Sequence, residues 1–393
     1  MNVDEVKRAT LRGKPIILLD DEFEGEADLV FPAQIVNKDT MNLFLQKGRG
    51  LLCVTALEED LISRGFFKLS SNQTGHVTNF FIPVDYGSGT GVSASERAKT
   101  ARMVAAGEPL NKFCYPGHVQ LLGAKSMVER QGHTEASVEL MELLGFSKHA
   151  VITEILDEDG NSHNFEYIRK LAVELDVPIL KNEQVRVEVI KKKRFFRVVG
   201  EAALPTRFGN VKIVAFENHF DRKEHFAIYS GRLREPVNVR IHSECATGDV
   251  LGSLRCDCGD QLSNALRFLS ERGGVLLYLR QEGRGIGITN KIKAYELQEE
   301  GMDTVEANLK LGFKEDERDY AVAAQMLKAL GLQRIRLLTN NPNKVEQLRL
   351  YGISVQSVEP IVGRLRRENM FYLKTKMDRL GHDLGVLFEE VER

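Results

Sequence analysis

VLLYLRQEGRGIGITNKIKAYELQEE, residues 275–300, reads as one strand, one turn and one helix in succession. Val275–Leu279 is a short continuous apolar run, the pattern of a buried strand. The turn that follows carries glycines at 283, 285 and 287, which allow close backbone approach to a ligand. Arg280 and Arg284 lie in the same turn and can fork onto phosphates. A solvated turn is also polar, but three alternating glycines among charges directly after an apolar strand are unusual. Asn290–Glu300 reads as a helix. The alternation continues with a helix at Asp319–Leu330, a strand at Ile335–Leu338 and a helix at Asn343–Tyr351. Upstream lie three strand-like stretches, Val211–Phe216, His225–Tyr229 and Val237–Ile241. Strands grouped first and alternating with helices later make the second half an α+β domain.

The first half also mixes strands and helices and reads as an α/β domain. Pro15–Leu19 (PIILL) fits a buried strand. Glu96–Ala106 and Glu135–Leu144 read as helices. Val138, Met141 and Leu144 share one face of the second, and Gly145 follows as its C-cap. The glycine-rich DYGSGTGVSAS, Asp85–Ser95, reads as a loop between them. Gln184–Gly200, QVRVEVIKKKRFFRVVG, reads as a linker passing into a strand, with Lys191–Arg194 as a solvated basic connector. The boundary is set accordingly, with domains at 1–197 and 198–393.

The chain has 393 residues, 42 % of them hydrophobic and 28 % charged, with a formal net charge of -2. This supports two sizeable cores and gives no broad electrostatic attraction to nucleic acid or anionic membranes. Any anionic ligand must be held by local groups. No apolar run approaches the length of a membrane span. The polar start MNVDEVKRAT does not read as a signal peptide, so a cytoplasmic location is the expectation. Of five cysteines, three crowd between Cys245 and Cys258. In such a setting crowded cysteines point to metal ligation more than to disulfides.

Those three sit in HSECATGDVLGSLRCDCGDQL, residues 242–262. Ten residues separate Cys245 from Cys256, and one separates Cys256 from Cys258. Three thiolates fill three positions of a tetrahedral zinc, and an unfilled fourth is the mark of a catalytic ion. The competing reading has His242 close the site and make it structural. Downstream, DERD places Asp316 and Arg318 two apart. TNNPNK then places Thr339 and Lys344 at a strand-to-helix turn, where helix amides favour anions.

In order, HSEC…SLRCDCG, RQEGRGIG, DTVEAN, LGF…DERD, LLTNNPNK and IVGR resemble the GTP cyclohydrolase II family closely, from about Gly200 to Leu384. The resemblance implies a zinc enzyme of riboflavin biosynthesis. It opens the guanine ring of GTP and releases formate and diphosphate. Cys245, Cys256 and Cys258 would bind zinc. Arg318 would act as nucleophile on the α-phosphate with Asp316 as its base, and Tyr295 would assist near the purine. Arg240, Ile241, His242, Ser243, Glu244, Gln261, Glu282, Gly283, Arg284, Thr304, Thr339 and Lys344 would hold GTP. From the residues alone, Arg318 equally fits a phosphate clamp, because a guanidinium is almost always protonated.

In the first half, LDDEFEGEADLV places six carboxylates between Asp20 and Asp28. Such oxygen-rich chemistry suits a hard cation such as magnesium. YPGH supplies His118, RQGHTEA supplies Arg130, His133 and Glu135, and TEILDEDG supplies Glu154. Singly each fits an ordinary solvated turn or surface histidine. As an ordered set over about residues 3–183 they resemble 3,4-dihydroxy-2-butanone 4-phosphate synthase, which is fused ahead of GTP cyclohydrolase II in many bacteria. The resemblance implies magnesium-dependent conversion of ribulose 5-phosphate to the butanone phosphate and formate. Glu24 and His133 would be the metal ligands. Glu24, Glu26, Asp28, Arg130, Gln131, Gly132, His133, Thr134 and Glu154 would contact the sugar phosphate. His118 and Glu154 would move protons around an enediol. It also implies a homodimer.

The sequence departs from that family in places. The acidic loop is one residue short, with Phe23 where an arginine is usual. Tyr115 replaces another arginine, and Ser162-His163-Asn164 replaces Met-Ala-Arg. Asn79, Phe80 and Phe81 are also atypical. These changes bear on three basic contacts to a sugar phosphate. They leave two readings, an active synthase or a scaffold beside an active cyclohydrolase.

Overall fold

The computed structural model describes residues 2–20, 25–70, 78–162, 164–385 and 388. The chain divides into two compact units, Met1–Val189 and Ile190–Arg393. Phe23, Glu24 and His163 lie outside the described residues.

The first unit is built on a seven-stranded mixed sheet. Its strands are β1 Ile16–Asp20, β2 Glu26–Pro32, β3 Cys53–Leu57, β4 Asn79–Asp85, β5 Cys114–Ala124, β6 Ala150–Glu154 and β7 Ile179–Lys181, in the order β4-β5-β3-β6-β2-β1-β7. The apolar run PIILL forms β1, and Ile16, Ile17 and Leu18 are fully buried. A helix at Ala94–Ala105 begins with a capping box in which Ser93 and Glu96 satisfy each other's backbone N–H groups. The helix His133–Leu144 ends at Gly145, whose φ of 78° gives the left-handed cap that the glycine allows.

The second unit holds another seven-stranded mixed sheet, in two parts. β8 Phe196–Thr206, β9 Gly209–Asn218 and β10 Phe226–Ser230 form an antiparallel meander. β11 Val237–Ser243, β12 Gly274–Leu279, β13 Arg334–Leu338 and β14 Ser354–Glu359 complete the order β14-β13-β11-β12-β10-β9-β8. β12, β11, β13 and β14 run parallel to one another, and β12 meets β10 antiparallel. Val275, Leu276, Leu277 and Leu279 of β12 are fully buried, as its continuous apolar run requires. Helices at Gly287–Glu299, Ala321–Ala329 and Pro342–Leu350 fall where the periodicity places them, to within three residues. Because β11, β12 and β13 are parallel neighbours, the loops at their carboxyl ends converge on one edge of the sheet. Open sheets of this kind bind ligands there.

One reading is corrected. Asn182–Lys192 is a helix, not a linker, and the strand follows it at Phe196. Valines at 185, 187 and 189 alternate as in a strand, yet Val185, Arg186, Val187, Val189 and Ile190 are all buried. Gln184, Glu188 and Lys191 form its polar stripe, but Asn182 and Arg186 sit on the buried face and blur the period. Lys191 and Lys192 occupy its last turn, where the helix dipole favours cations. The Lys328 ammonium donates to the carbonyls of Ile190 and Lys191 there.

Candidate active site

Cys245 lies just past β11, and Cys256 and Cys258 come at the start of the helix Cys258–Arg272. Their three Sγ atoms all fall within 4.8 Å of one another. Zinc–thiolate bonds near 2.3 Å in a tetrahedron put sulfurs about 3.8 Å apart. Cys245 Sγ and Cys256 Sγ are 3.7 Å apart. The loop between them has a glycine where the sulfurs gather. A Cβ on Gly248 would stand 2.9 Å from Cys256 Sγ and 3.2 Å from Cys245 Sγ. The donor set and its cradle therefore fit a zinc-sized soft cation. Hydrogen bonds from Cys256 and Cys258, with Lys291 nearby, pull the Cys245 thiol far below its ordinary pKa. The same contact with Cys245 pushes Cys256 up to about 11 and raises Cys258 as well.

His242 does not close the cluster. Its Nε2 is shared by both oxygens of Asp249 at 3.0 Å, and among the described residues only the three cysteines form a metal-ligating group. Asp249 also accepts from the Cys245 backbone N–H at 3.0 Å and the Tyr278 hydroxyl at 2.8 Å, so the histidine belongs to the support of the cysteine loop.

A cleft of about 710 Å³ opens beside the cysteines, and a second cavity of about 580 Å³ adjoins it. Ser243, Cys258, Arg284, Arg318 and Tyr372 line both. The larger one also takes in Glu244, Glu282, Gly283, Tyr295 and Thr304. Glu282 is pinned by the Ala246 N–H at 2.5 Å and by the Lys291 ammonium at 2.8 Å. Lys291 reaches on to Thr247 at 2.8 Å and Cys245 Sγ at 3.2 Å. Tyr295 stands one turn further along the same helix face, 3.4 Å from the Thr247 hydroxyl, with the Arg255 guanidinium 4.9 Å from its ring centre.

The smaller cavity is cationic. Arg240, Arg284, Arg318, Lys344 and Lys376 line it with Gln261, Thr339 and His382, and among the described residues no carboxylate does. Both terminal nitrogens of Arg284 are buried without a hydrogen-bond partner, as are Ser243 Oγ and Arg240 Nε. Unsatisfied buried donors are costly, which marks the place where a ligand belongs. Burial, with Arg240 and Arg318 close by, drives Lys344 well below its usual pKa. Arg284 is held at φ 61°, a strained angle for a non-glycine residue and a common mark of a functional turn. Next to it, a Cβ on Gly285 would meet the backbone of Glu317 at 3.0 Å, so the turn packs on the loop that carries Arg318. Arg318 Nε donates to Asp316 Oδ1 at 2.8 Å, and its backbone N–H to the same oxygen at 3.0 Å. Of the residues expected to hold nucleotide, Ile241 alone is a core side chain; its carbonyl accepts from Lys344 at 2.9 Å.

Sequence reasoning did not single out Gly248, Lys291, Arg255, Tyr372, Lys376 or His382. The spacing of Lys291 and Tyr295 was readable. The others become functional only when the chain folds.

In the first unit, strand register gathers the expected residues. Asp28 pairs directly with Glu154 across β2 and β6. Glu154 Oε2 accepts from the Leu51 N–H at 2.7 Å, and a Cβ on Gly50 would stand 2.3 Å from that oxygen. Cys53 aligns with both Ile152 and Gln120, so Glu154, Leu51 and His118, each two residues away, fall in one row. His118 Nδ1 is 2.7 Å from Asp85 Oδ2, which orients its ring. His133 Nδ1 is 3.8 Å from Asp28 Oδ1, and both residues are buried. Burial, with Glu154 and Asp28 nearby, raises the Cys53 thiol well above its ordinary value. Arg130 is bound to Glu135 at 2.6 Å. Gln131 and Gly132 lead into the helix that carries His133 and Thr134, and the Gln131 carbonyl accepts from Asn182 at 3.1 Å.

Comparison with known proteins assigns a family to each half of the chain. Residues 4–187 match the 3,4-dihydroxy-2-butanone 4-phosphate synthase family, and residues 196–360 match GTP cyclohydrolase II. A Thermotoga maritima protein named riboflavin biosynthesis protein RibBA is 56 % identical over 389 residues, spanning 99 % of this chain and 100 % of that one. The chain belongs to the RibBA family. A Bacillus cytotoxicus RibBA is 43 % identical over 98 % of this chain and 99 % of its own. A two-domain 3,4-dihydroxy-2-butanone 4-phosphate synthase from A. baumannii shares the fold, with a TM-score of 0.67 at 23 % identity over 92 % of this chain and 99 % of its own. RibBA proteins serve riboflavin biosynthesis with both domains, and both activities go with the family. The scaffold alternative for the first half therefore loses its ground, despite Tyr115 and Asn164. Among the described residues no helix is long and apolar enough to cross a membrane.

Proposed function

We propose that GTP lies across the two joined cavities of the second unit, with guanine toward the cysteines and the phosphates among the cations. The observation that carries this reading is the adjacency of a three-thiolate cluster to a cavity that five cations and, among the described residues, no carboxylate line. Cys245, Cys256 and Cys258 hold zinc, which when bound supplies Lewis-acid activation of water near neutral pH. Tyr295 flanks the purine. Arg240, Arg284 and Lys344 neutralise the phosphates and Ser243, Gln261, Thr339 and His242 orient them, while Glu244, Glu282, Gly283 and Thr304 face the nucleoside side.

Arg318 stands at the junction of the cavities, where the α-phosphate falls. Burial would lower its pKa, but Tyr320 and Asp316 raise it. A guanidinium held charged on Asp316 favours a clamp on the α-phosphate over attack upon it.

In the first unit, ribulose 5-phosphate occupies the row of Asp28, Glu154 and His118. Arg130 and Thr134 contact it, and Glu154 and His118 move the protons of the enediol. Magnesium is the proposed cation, with His133 as its described ligand. A homodimer and a cytoplasmic location are proposed with it. β8 supports the dimer: it is an edge strand, long and mostly exposed, with Val198, Val199 and Leu204 uncovered.

The test is formate release by the purified protein with magnesium, run separately on GTP and on ribulose 5-phosphate, with zinc content measured. Formate from both and one zinc per chain is the expected result. No formate from GTP by zinc-loaded protein would overturn the assignment of the cavities.

A further inference from the structure

The cyclohydrolase match ends at residue 360, yet a later segment forms one wall of the cationic cavity. The helix Met370–Leu380 and the turn after it bring Tyr372, Lys376, Leu380 and His382 to that wall. Tyr372 and Lys376 are one helical turn apart and share a face.

The segment is tied to the site at two points. Lys376 Nζ bonds Asp257 Oδ1 at 2.8 Å, and Asp257 lies between two of the cysteines. Asp257 Oδ2 accepts from Gln261 at 2.6 Å, and Gln261 in turn accepts from Arg240 at 2.6 Å. The Asp383 N–H donates to the carbonyl of Asn340, at the end of β13, at 2.9 Å.

His382 sits among cations from every side: Lys376 of its own segment, Arg318 of the DERD loop, Lys344 of the helix after β13 and Arg284 of the turn after β12. Burial first, and then these cations, pull its pKa down to about 2, so the ring is neutral and can donate one N–H. Lys344, Lys376 and His382 line only the smaller cavity, which Cys258 alone of the three cysteines reaches, whereas Arg284 and Arg318 line both. The first group therefore faces the far end of a chain of phosphates.

We infer that His382 and Lys376 are further ligands of the β- and γ-phosphates of the nucleotide. This rests on the reading that the smaller cavity takes the triphosphate. Lys376 is unsuitable for substitution, because its loss would leave Asp257 buried and unpaired beside the cysteines. His382 is the residue to test.

Inorganic pyrophosphate and GMP are each used as inhibitors of GTP turnover by the holoenzyme. His382→Gln should raise the KM for GTP and the inhibition constant of pyrophosphate about tenfold, the scale of one charge-assisted hydrogen bond. Its kcat and its inhibition by GMP, which lacks those phosphates, should stay as in the parent. His382→Asn is measured alongside, with the melting temperature of each. Unchanged pyrophosphate inhibition, or equal weakening of pyrophosphate and GMP, would overturn the inference. Failure of pyrophosphate to compete with GTP on the unaltered enzyme would overturn the cavity reading itself.

Discussion

At the scale of single residues, the site depends as much on missing atoms as on present ones. Gly248 matters because it has no Cβ; an alanine there would crowd two of the three thiolates to 2.9 and 3.2 Å. Gly248→Ala should lower zinc affinity roughly tenfold to a hundredfold, as disturbances around a ligand shell do. GTP turnover should fall with it, while formate from ribulose 5-phosphate stays unchanged. A chelator competition assay reads the first effect, and parental zinc affinity would refute the cradle argument. Asp316 acts in the opposite way, by presence: it accepts from both the side chain and the backbone of Arg318. Asp316→Asn keeps the shape but removes the charge that fixes the guanidinium. kcat for GTP should drop roughly tenfold to a hundredfold, the worth of one or two charge-assisted hydrogen bonds. A change confined to KM would show that Asp316 does not aim Arg318 during turnover.

At the scale of elements, the legible parts were those in which local pattern and tertiary role agree. β12 is buried on both faces, so its apolar run could only be a strand, and the glycine turn after it marked one wall of the site. The cysteine spacing likewise gave the donor set without any need of the fold. The helix Asn182–Lys192 was illegible because Asn182 and Arg186 on its buried face blurred the amphipathic period, while its valines alternate as in a strand. His242 was ambiguous for another reason: only the fold shows that Asp249 occupies its ring. The wall from Met370 to His382 carries no motif, since its role comes from where the chain returns. The helix assignment has a direct consequence. Val187 lies in the helix interior and is 6 % exposed, so Val187→Pro should cost about 3 kcal/mol or more of stability. A connector between domains would tolerate the same change. Urea unfolding distinguishes the two, and an unchanged midpoint would return the segment to a linker.

At the scale of the whole molecule, each unit has its own seven-stranded sheet and its own proposed chemistry. The net charge of -2 draws no phosphate ester from a distance, so each substrate must be held by local groups. In the second unit these are five cations on one small cavity. In the first they are a row fixed by strand register, with Glu154 between Asp28 and His118. The two sets are drawn from different units. The two reactions should therefore fail separately. Glu154→Gln keeps the hydrogen bond from Leu51 but removes the carboxylate proposed as the general base. It should abolish formate from ribulose 5-phosphate by a hundredfold or more, the scale of a lost general base, and leave GTP turnover within about twofold. Cys256→Ser replaces one of three thiolates and should do the reverse, with zinc lost in parallel. Both variants are assayed on both substrates under one set of conditions. If either substitution silences both reactions while the protein stays folded, the catalytic units are coupled, and the assignment of each substrate to one unit alone is wrong.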